Sequence, residues 1–278
     1  MPPDALSSHW PSSIWLLGCG NMGGAIAARW LDSGMTPDRL TIIDPAPSRL
    51  PSGMIAHHVP PSGANPPQLL LLAIKPQMLN SAVPALSNFV GADTVLVSIL
   101  AGTELATLAA LFPQARAIVR LMPNMAVAVG KSPMILVSAD ADAELRSALD
   151  QLFAAHGPSE WLENETLMDI ATALSGSGPA FVYRYIDALA KGGAALGLLR
   201  AQADRLALMM VAGAAELAVI ADDDPATLAN RVASPGGVTR AGLNMLDEGA
   251  ALDNLVTATL DAAAKRNAEM AAEAKREG

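Results

Sequence analysis

Short apolar runs alternate with helix-like segments through the first half of the chain, and this alternation restricts the possible folds most strongly. The runs are apolar at nearly every position, which is typical of strands that are buried on both faces of a parallel sheet. The segments between them have helical patterns at about 22–33, 78–89, 104–111 and 142–155. We therefore predict an α/β fold with a doubly wound, mostly parallel sheet. The runs are SIWLL (13–17), LTII (40–43), LLLLAI (69–74), TVLVSI (94–99), AIVRL (117–121) and PMILVS (133–138).

The second half of the chain has no comparable runs after about residue 160. Its pattern predicts helices, punctuated by the turn-forming segments DDDP and SPGG. We predict a first domain of residues 1–163, in which 1–12 form a loose tail, and an all-α second domain of residues 164–278. The predicted helices occupy about 165–174, 179–198, 201–221, 225–232, 237–248 and 250–276.

Composition narrows the possible partners of the chain. The net charge is −9 and no run of Lys or Arg occurs, which argues against nucleic acid as a partner. The most apolar segment, 206–221, contains Glu216 and is shorter than the roughly 20 residues of a membrane span. The four histidines have no metal-ligand spacing, so no metal is expected. The single cysteine, Cys19, indicates a reducing compartment, and we expect a cytoplasmic protein.

A glycine motif directly follows the first predicted strand and opens the first predicted helix. Gly18, Gly20 and Gly23 form G-x-G-x-x-G, with Cys19, Asn21 and Met22 between them. In this position the first glycine permits a tight turn, the second lets a pyrophosphate approach the backbone, and the third lets the helix pack on the strand. The motif predicts a Rossmann-like domain that binds a dinucleotide. A reactive thiol at Cys19 is a weaker interpretation than a small residue that fills space.

Asp44 follows the second predicted strand, 21 residues after Gly23. An acidic residue there can bind the ribose hydroxyls of NAD and repel the 2′-phosphate of NADP. Asp44 can equally cap the turn in DPAPS. Ser48 and Arg49 follow closely and could accept a phosphate. The sequence therefore leaves the choice between NADPH and NADH open.

The segment SPGG, in the second half of the chain, is another place where backbone N–H groups can be exposed. Pro235 sets a turn, and Gly236 and Gly237 carry no side chains that would cover their N–H groups. A helix is predicted to begin at this point, so backbone donors and the positive end of its dipole converge. The segment is therefore a candidate site for a small carboxylate, and a glycine-rich helix start is the alternative.

Four further stretches, together with GCGNMG, carry a resemblance to a known family. They are AIKP (73–76), LMPN (121–124), TALSGSGPAF (172–181) and VASPGGVT (232–239). From about Ile14 to Glu269 the chain resembles pyrroline-5-carboxylate reductases. The resemblance implies hydride transfer from NADPH or NADH to 1-pyrroline-5-carboxylate, which yields L-proline, and a homodimer or a ring of dimers.

The resemblance also implies roles for individual residues. Thr239 is the candidate catalytic residue, with a hydroxyl that hydrogen-bonds the ring nitrogen of the substrate; the alternative is a threonine in the first turn of a helix that bonds the backbone. Lys75 could otherwise be a solvated lysine and Asn124 a turn former. Met125 and Ala126 depart from the Thr-Pro that is usual in the family. The implied cofactor-binding residues beyond the glycine motif and Asp44 are Ala73, Ile74, Lys75, Pro76, Ala101, Gly102 and Asn124, and the implied substrate-binding residues are Ser177, Pro179, Ser234, Gly236, Gly237, Val238 and Thr239.

Two other functions stay open at this stage. One is a related imine reductase or β-hydroxyacid dehydrogenase that acts on another small carboxylate. Such dehydrogenases use a catalytic lysine after the domain junction; Lys191 is the only lysine in that region, and Ala195 stands where they have asparagine. The other is a non-catalytic dinucleotide-binding protein.

Overall fold

The structure is a computed structural model that describes residues 10–277, without the side chains of residue 271 and of residues 273–277. Residues 1–9 of the predicted tail lie outside the described residues. The end of that tail is held by the fold. Trp10 packs against the core, and the carbonyl of Pro11 accepts hydrogen bonds from Arg39 Nε and Nη2 at 3.2 and 2.6 Å. Residues 10–12 therefore differ from the loose tail that the sequence predicts.

Eight strands form one sheet in the order β3-β2-β1-β4-β5-β6-β7-β8. All neighbouring strands are parallel except β6 and β7, so the predicted α/β fold with a mostly parallel sheet is confirmed. All six predicted runs form strands. The two strands that were not predicted, β3 and β8, contain two and three residues. The strands are β1 Ile14–Leu17, β2 Leu40–Ile43, β3 Ala56–His57, β4 Leu69–Leu72, β5 Val95–Ser98, β6 Ala117–Met122, β7 Met134–Val137 and β8 Ser159–Trp161.

The sheet is buried on both faces, as the continuously apolar runs predict. Along β1, Ile14 and Leu16 pack into one core, and Trp15 and Leu17 pack into the other. Successive side chains of a strand point to opposite faces, so each strand needs apolar residues at every position. The helices of this part of the chain are α1 Asn21–Asp32, α2 Leu79–Leu86, α3 Leu105–Leu111 and α4 Ala143–Phe153.

The second half of the described chain is helical, but its first predicted helix is interrupted. In place of one helix over 165–174, a 3₁₀ turn at Glu165–Leu167 leads into α5, Met168–Ala171, and then into a π-helical turn at Thr172–Gly176. Thr172, Ser175 and Gly176 are weak helix formers, which explains why α5 is short. The other helices are α6 Gly178–Ala195, α7 Arg200–Ile220, α8 Pro225–Val232, α9 Val238–Asp247 and α10 Ala251–Glu277.

The chain divides into two compact units. The first contains the described residues up to Gly176 and those from Ala263 onward, and the second is Ser177–Ala262. This division differs from the predicted boundary near residue 163. Residues 164–176 stay with the first unit because Glu165 pairs with Arg120 of β6, and Asn124 Nδ2 donates to the carbonyl of Ser175 at 2.9 Å. Among the described residues, every helix is too short or too polar to cross a membrane.

Candidate active site

The glycine motif lies in the turn between β1 and α1, and two of its glycines are required by close backbone packing. Gly18 has a φ of +95°, and a Cβ placed there would lie 2.6 Å from the carbonyl oxygen of Ala73. A Cβ at Gly23 would lie 2.2 Å from the carbonyl oxygen of Gly18. At Gly20, by contrast, a Cβ would meet no described atom within 4 Å. The second glycine of the motif therefore faces open space.

This open space adjoins the start of α1. The helix begins at Asn21 with no acidic residue in its first turn and no side chain that caps it. Its first N–H groups and the positive end of its dipole are available to an anion. Open backbone at Gly20 beside such a helix start fits the pyrophosphate of a dinucleotide, because any side chain at this position would fill the approach.

A cavity of about 510 Å³ lies at the carboxyl ends of β1, β2 and β4. The structure brings six of the predicted cofactor residues to its walls: Gly18, Gly20, Asp44, Ala73, Ile74 and Lys75. The other side of the cavity is lined by segments that carry no motif and were not predicted from the sequence. These are chiefly Pro45, Ala46, His58, Val59, Pro60, Met78, Ser81 and Ala82.

Asp44 makes the turn that one of its two interpretations requires. Its Oδ1 accepts a hydrogen bond from the N–H of Ala46 at 2.8 Å, within the DPAPS turn. Its Oδ2 accepts a second bond, at 2.6 Å, from the N–H of Cys19 in the glycine motif. Asp44 also lines the cavity, so a contact with a ribose stays a prediction.

Cys19 is fully buried, and its Sγ donates to the carbonyl of Arg49 at 3.4 Å. Burial, and secondarily the charge of Asp44, raise the pKa of the Cys19 thiol to about 11. The thiol is therefore protonated at neutral pH and unreactive as a nucleophile. The other two non-glycine residues of the motif are placed differently. Asn21 Oδ1 accepts a hydrogen bond from Arg49 Nε at 2.9 Å, and Met22 packs against the core.

Of the predicted cofactor residues beyond the glycine motif, four lie outside the walls of this cavity. Pro76 begins a 3₁₀ turn, and Ala101 is exposed in the turn after β5. Gly102 lines a separate polar cavity of about 380 Å³, in which Arg120 Nη1 pairs with Glu165 Oε1 at 2.6 Å. This pair was not predicted, although an arginine inside the apolar run AIVRL is a signal that a buried charge needs a partner.

Asn124, the fourth of them, is buried and its side chain serves the protein itself. Oδ1 accepts from the N–H of Ala126 at 2.8 Å and caps the 3₁₀ helix Met125–Val129. Nδ2 donates to the carbonyl of Ser175 at 2.9 Å. These bonds match the interpretation of Asn124 as a turn former, and the Met125-Ala126 departure from the family pattern is accommodated in the helix that it caps.

The SPGG turn belongs to the second unit. Gly236 has a φ of +70°, and the N–H of Gly237 donates to the carbonyl of Ser234 at 3.0 Å. Helix α9 then begins at Val238 with no side-chain cap and no acidic residue in its first turn. The amides open to a ligand are therefore those of Val238 and Thr239, while the amide of Gly237 closes the turn.

Thr239 lies in the first turn of α9, partly exposed. Within the described residues its hydroxyl makes no hydrogen bond, so it does not cap its own helix. Ser177 and Pro179, the other predicted substrate residues, stand at the start of α6. Both sets of residues thus lie at helix N-termini of the second unit.

The fold has a parallel sheet, a glycine motif after its first strand and a cavity at the carboxyl ends of its strands. These features define a dinucleotide-binding protein of the Rossmann type. Two family models match the chain. Residues 13–102 match NADP oxidoreductase, coenzyme F420-dependent, and residues 165–270 match pyrroline-5-carboxylate reductase dimerisation.

Individual relatives give the same result over most of the chain. The pyrroline-5-carboxylate reductase of Pseudomonas aeruginosa is 32% identical over 93% of this chain and 96% of its own length, and that of Synechocystis is 38% identical over 84% and 90%. A Coxiella burnetii pyrroline-5-carboxylate reductase structure superposes with a TM-score of 0.84 at 25% identity, covering 92% of this chain and 97% of its own. The Plasmodium falciparum pyrroline carboxylate reductase with NADP bound has a TM-score of 0.77 at 26% identity, covering 93% and 98%. This chain belongs to the pyrroline-5-carboxylate reductase family, which confirms the predicted resemblance.

Proposed function

We propose that this chain reduces the C=N bond of 1-pyrroline-5-carboxylate to give L-proline, the last step of proline biosynthesis. NADPH or NADH is the hydride donor. One observation carries the proposal: α1 and α9 each begin without a side-chain cap directly after a glycine turn. Two such helix starts suit the two anionic groups of this reaction, the pyrophosphate of the cofactor and the carboxylate of the substrate.

For the cofactor, the chain provides a cavity and backbone N–H donors. A bound reduced nicotinamide dinucleotide would supply a hydride to the imine carbon of the substrate. The loop from Gly18 to Gly23 would hold the pyrophosphate against the start of α1, and the cavity beside Asp44 would hold the adenosine. Lys75 and its neighbours Ala73, Ile74 and Pro76, with Ala101, Gly102 and Asn124, are the proposed nicotinamide side.

On the substrate side, the N–H groups of Val238 and Thr239 would bind the carboxylate. The Thr239 hydroxyl would accept a hydrogen bond from the protonated ring nitrogen, which keeps its proton as the neighbouring carbon receives the hydride. A protonated imine is already electrophilic, so a strong general acid is unnecessary. Ser177, Pro179, Ser234 and Gly236 are the remaining proposed contacts of the substrate.

Turnover tests this proposal directly. We expect the purified protein to oxidise NADPH or NADH when 1-pyrroline-5-carboxylate is added, with one L-proline formed for each cofactor oxidised. The loss of the near-ultraviolet absorbance of the reduced nicotinamide measures the cofactor oxidised, and amino-acid analysis measures the proline formed. A protein that binds the cofactor but forms no proline would contradict the proposal.

Lys191→Ala is the matched variant for the related dehydrogenase mechanism. Lys191 Nζ pairs with Asp187 Oδ2 at 2.7 Å on an exposed face of α6, and the proposed imine reduction gives it no role. Proline formation is therefore expected to stay within about twofold of the wild type, since the loss of an exposed ion pair costs the fold at most about 1 kcal/mol. If this variant loses turnover and the wild-type protein oxidises a hydroxyacid, a β-hydroxyacid dehydrogenase would be favoured instead.

The second unit is also the proposed surface of a homodimer. Helix α7 is apolar around most of its circumference, and within it Met209, Leu217 and Ile220 are 70%, 65% and 78% exposed. Apolar surface of this extent is typical of an interface between subunits. A ring of dimers would use the same helices, and a cytoplasmic location, which the single cysteine favours, is likewise a proposal.

Light scattering after size exclusion tests the dimer. We expect a mass of at least twice 28.6 kDa for the wild type. Leu217→Glu should lower the mass or cause aggregation, because it puts a charge into the interface. Ile55→Glu, which changes an equally exposed residue of the first unit, should leave the mass unchanged. A stable wild-type monomer at micromolar concentration would contradict the proposal.

A further inference from the structure

The turn after β5 is held weakly by its own hydrogen bonds. The N–H of Leu100 donates to Ser98 Oγ at 3.3 Å, and the N–H of Thr103 donates to the carbonyl of Leu100 at 3.4 Å. Both distances exceed the roughly 2.9 Å that is typical of such bonds. Gly102, in the same turn, has a φ of +71°, and a glycine leaves the backbone more freedom than any other residue. The shape of this turn therefore depends on contacts from outside it.

Glu165 makes such a contact at the point where α3 begins. The N–H of Leu105, the first residue of α3, donates to Glu165 Oε1 at 2.8 Å, although the two residues are 60 positions apart. The side chain of Glu104, directly before α3, does not cap the helix. A bond from a backbone N–H to a carboxylate is charge-assisted and stronger than a neutral one. Glu165 therefore fixes the end of the turn that leads into α3.

Arg120 in turn holds Glu165 in place. Its Nη1 donates to the same Oε1 at 2.6 Å, and 6% of the Arg120 side chain is exposed against 27% for Glu165. A buried guanidinium that loses its carboxylate destabilises a fold strongly, so the two groups stay together. Arg120 stands on β6 directly opposite Ser98, the last residue of β5. Through Glu165, the hydrogen-bonded sheet is thus connected to the start of α3.

The ion pair and the turn border the same polar cavity of about 380 Å³, which Gly102, Arg120 and Glu165 all line. We propose that Glu165, held by Arg120, positions the turn of residues 101–104 for contact with the nicotinamide. Glu165 is a positioning residue, because it acts through the amide of Leu105 and does not itself touch the cofactor. The proposal rests on the proposed function for one point, which is that this turn belongs to the nicotinamide side.

Two probes that differ by the nicotinamide alone test this assignment without turnover. One is the reduced cofactor that the wild type binds more tightly, NADPH or NADH. The other is the same molecule without its nicotinamide, 2′-phospho-ADP-ribose or ADP-ribose. Calorimetry with the full-length protein should give the complete cofactor a dissociation constant that is lower by at least about tenfold. Glu165→Ala should reduce this ratio to within about twofold by weakening the complete cofactor alone. Glu165→Gln, whose amide oxygen can still accept from Leu105, should restore part of it.

Two further variants separate positioning from stability. Glu165→Ala leaves the Arg120 guanidinium without its carboxylate, so it should also lower the melting temperature. The double variant Arg120→Met with Glu165→Met removes both charges and should melt close to the wild type. It should still show the reduced ratio, because the amide of Leu105 stays uncapped. Glu163→Ala, which removes an exposed carboxylate two residues away, should change neither dissociation constant.

Three results of the binding experiment decide the proposal. A wild-type ratio in the folded double variant would overturn it, as would an equal weakening of both probes in that variant. A wild type that binds the two probes equally would overturn it too, because the turn would then make no contact with the nicotinamide. A protein that meets these expectations but forms no proline would refute the proposed function alone.

Discussion

Gly20→Ala is expected to abolish binding of the dinucleotide while the fold stays intact. Gly20 has a φ of −82°, which alanine adopts freely, and a Cβ there meets no described atom within 4 Å. The methyl group would instead occupy the space in which the pyrophosphate meets the backbone. We expect the dissociation constant of NADPH to rise by at least about a hundredfold, which corresponds to about 2.7 kcal/mol. Calorimetry measures the constant, and circular dichroism measures the melting temperature.

Two other glycines provide the controls for this prediction. Gly91→Ala should change neither binding nor melting temperature, because its Cβ also meets open space and Gly91 lies outside the proposed site. Gly23→Ala should lower the melting temperature sharply, because its Cβ would lie 2.2 Å from the backbone oxygen of Gly18. Wild-type affinity in a folded Gly20→Ala protein would show that the cofactor does not approach this backbone.

The central strands could be predicted because burial on both faces leaves a local signal. In β1 and β4 every residue is buried, and the sequence therefore shows continuous apolar runs. Strands β3 and β8 lie at the two edges of the sheet and contain two and three residues with partly exposed side chains. Such short edge strands carry no pattern of their own, since they form by pairing with a neighbour that is distant in sequence.

The site could be predicted where close packing restricts a position to one residue type. Gly18 and Gly23 are glycines because backbone atoms occupy the position of a Cβ, and that requirement is visible as a motif. The hydrogen bond from Cys19 to Asp44 and the pair of Arg120 with Glu165 span 25 and 45 residues. Contacts at such separations depend on how the elements pack, so the sequence left the role of Asp44 open and did not reveal the polar cavity.

The two proposed ligand sites share one physical device. At both, a glycine turn removes side chains from the path to the N-terminus of a helix, and the donors are backbone amides. The side chains of Lys75 and Asn124 are less suited to this task, since the first is exposed and the second is bonded to the protein. Substitutions that cover backbone should therefore have larger effects than those that remove a charge.

Gly237→Val is expected to raise the KM for 1-pyrroline-5-carboxylate by at least about a hundredfold. A Cβ at Gly237 would lie 2.5 Å from Ser234 Oγ, so the branched side chain displaces that hydroxyl and covers the first amides of α9. Proline should lose its affinity as a product for the same reason. Steady-state kinetics with substrate and with added proline measure both effects. Gly242→Ala, at an open position inside α9, should behave as the wild type.

Thr239→Ala should affect a different step, because it leaves the amides of α9 uncovered. We expect kcat to fall by roughly ten- to a hundredfold, the scale of one hydrogen bond formed mainly in the transition state, about 1.4–2.7 kcal/mol. KM should change little, and Thr239→Ser, which keeps the hydroxyl, should recover most of the rate. Because the Thr239 hydroxyl makes no hydrogen bond within the described residues, a loss of stability would not explain a lower kcat. Wild-type turnover in Thr239→Ala would mean that the imine is reduced without a protein hydroxyl.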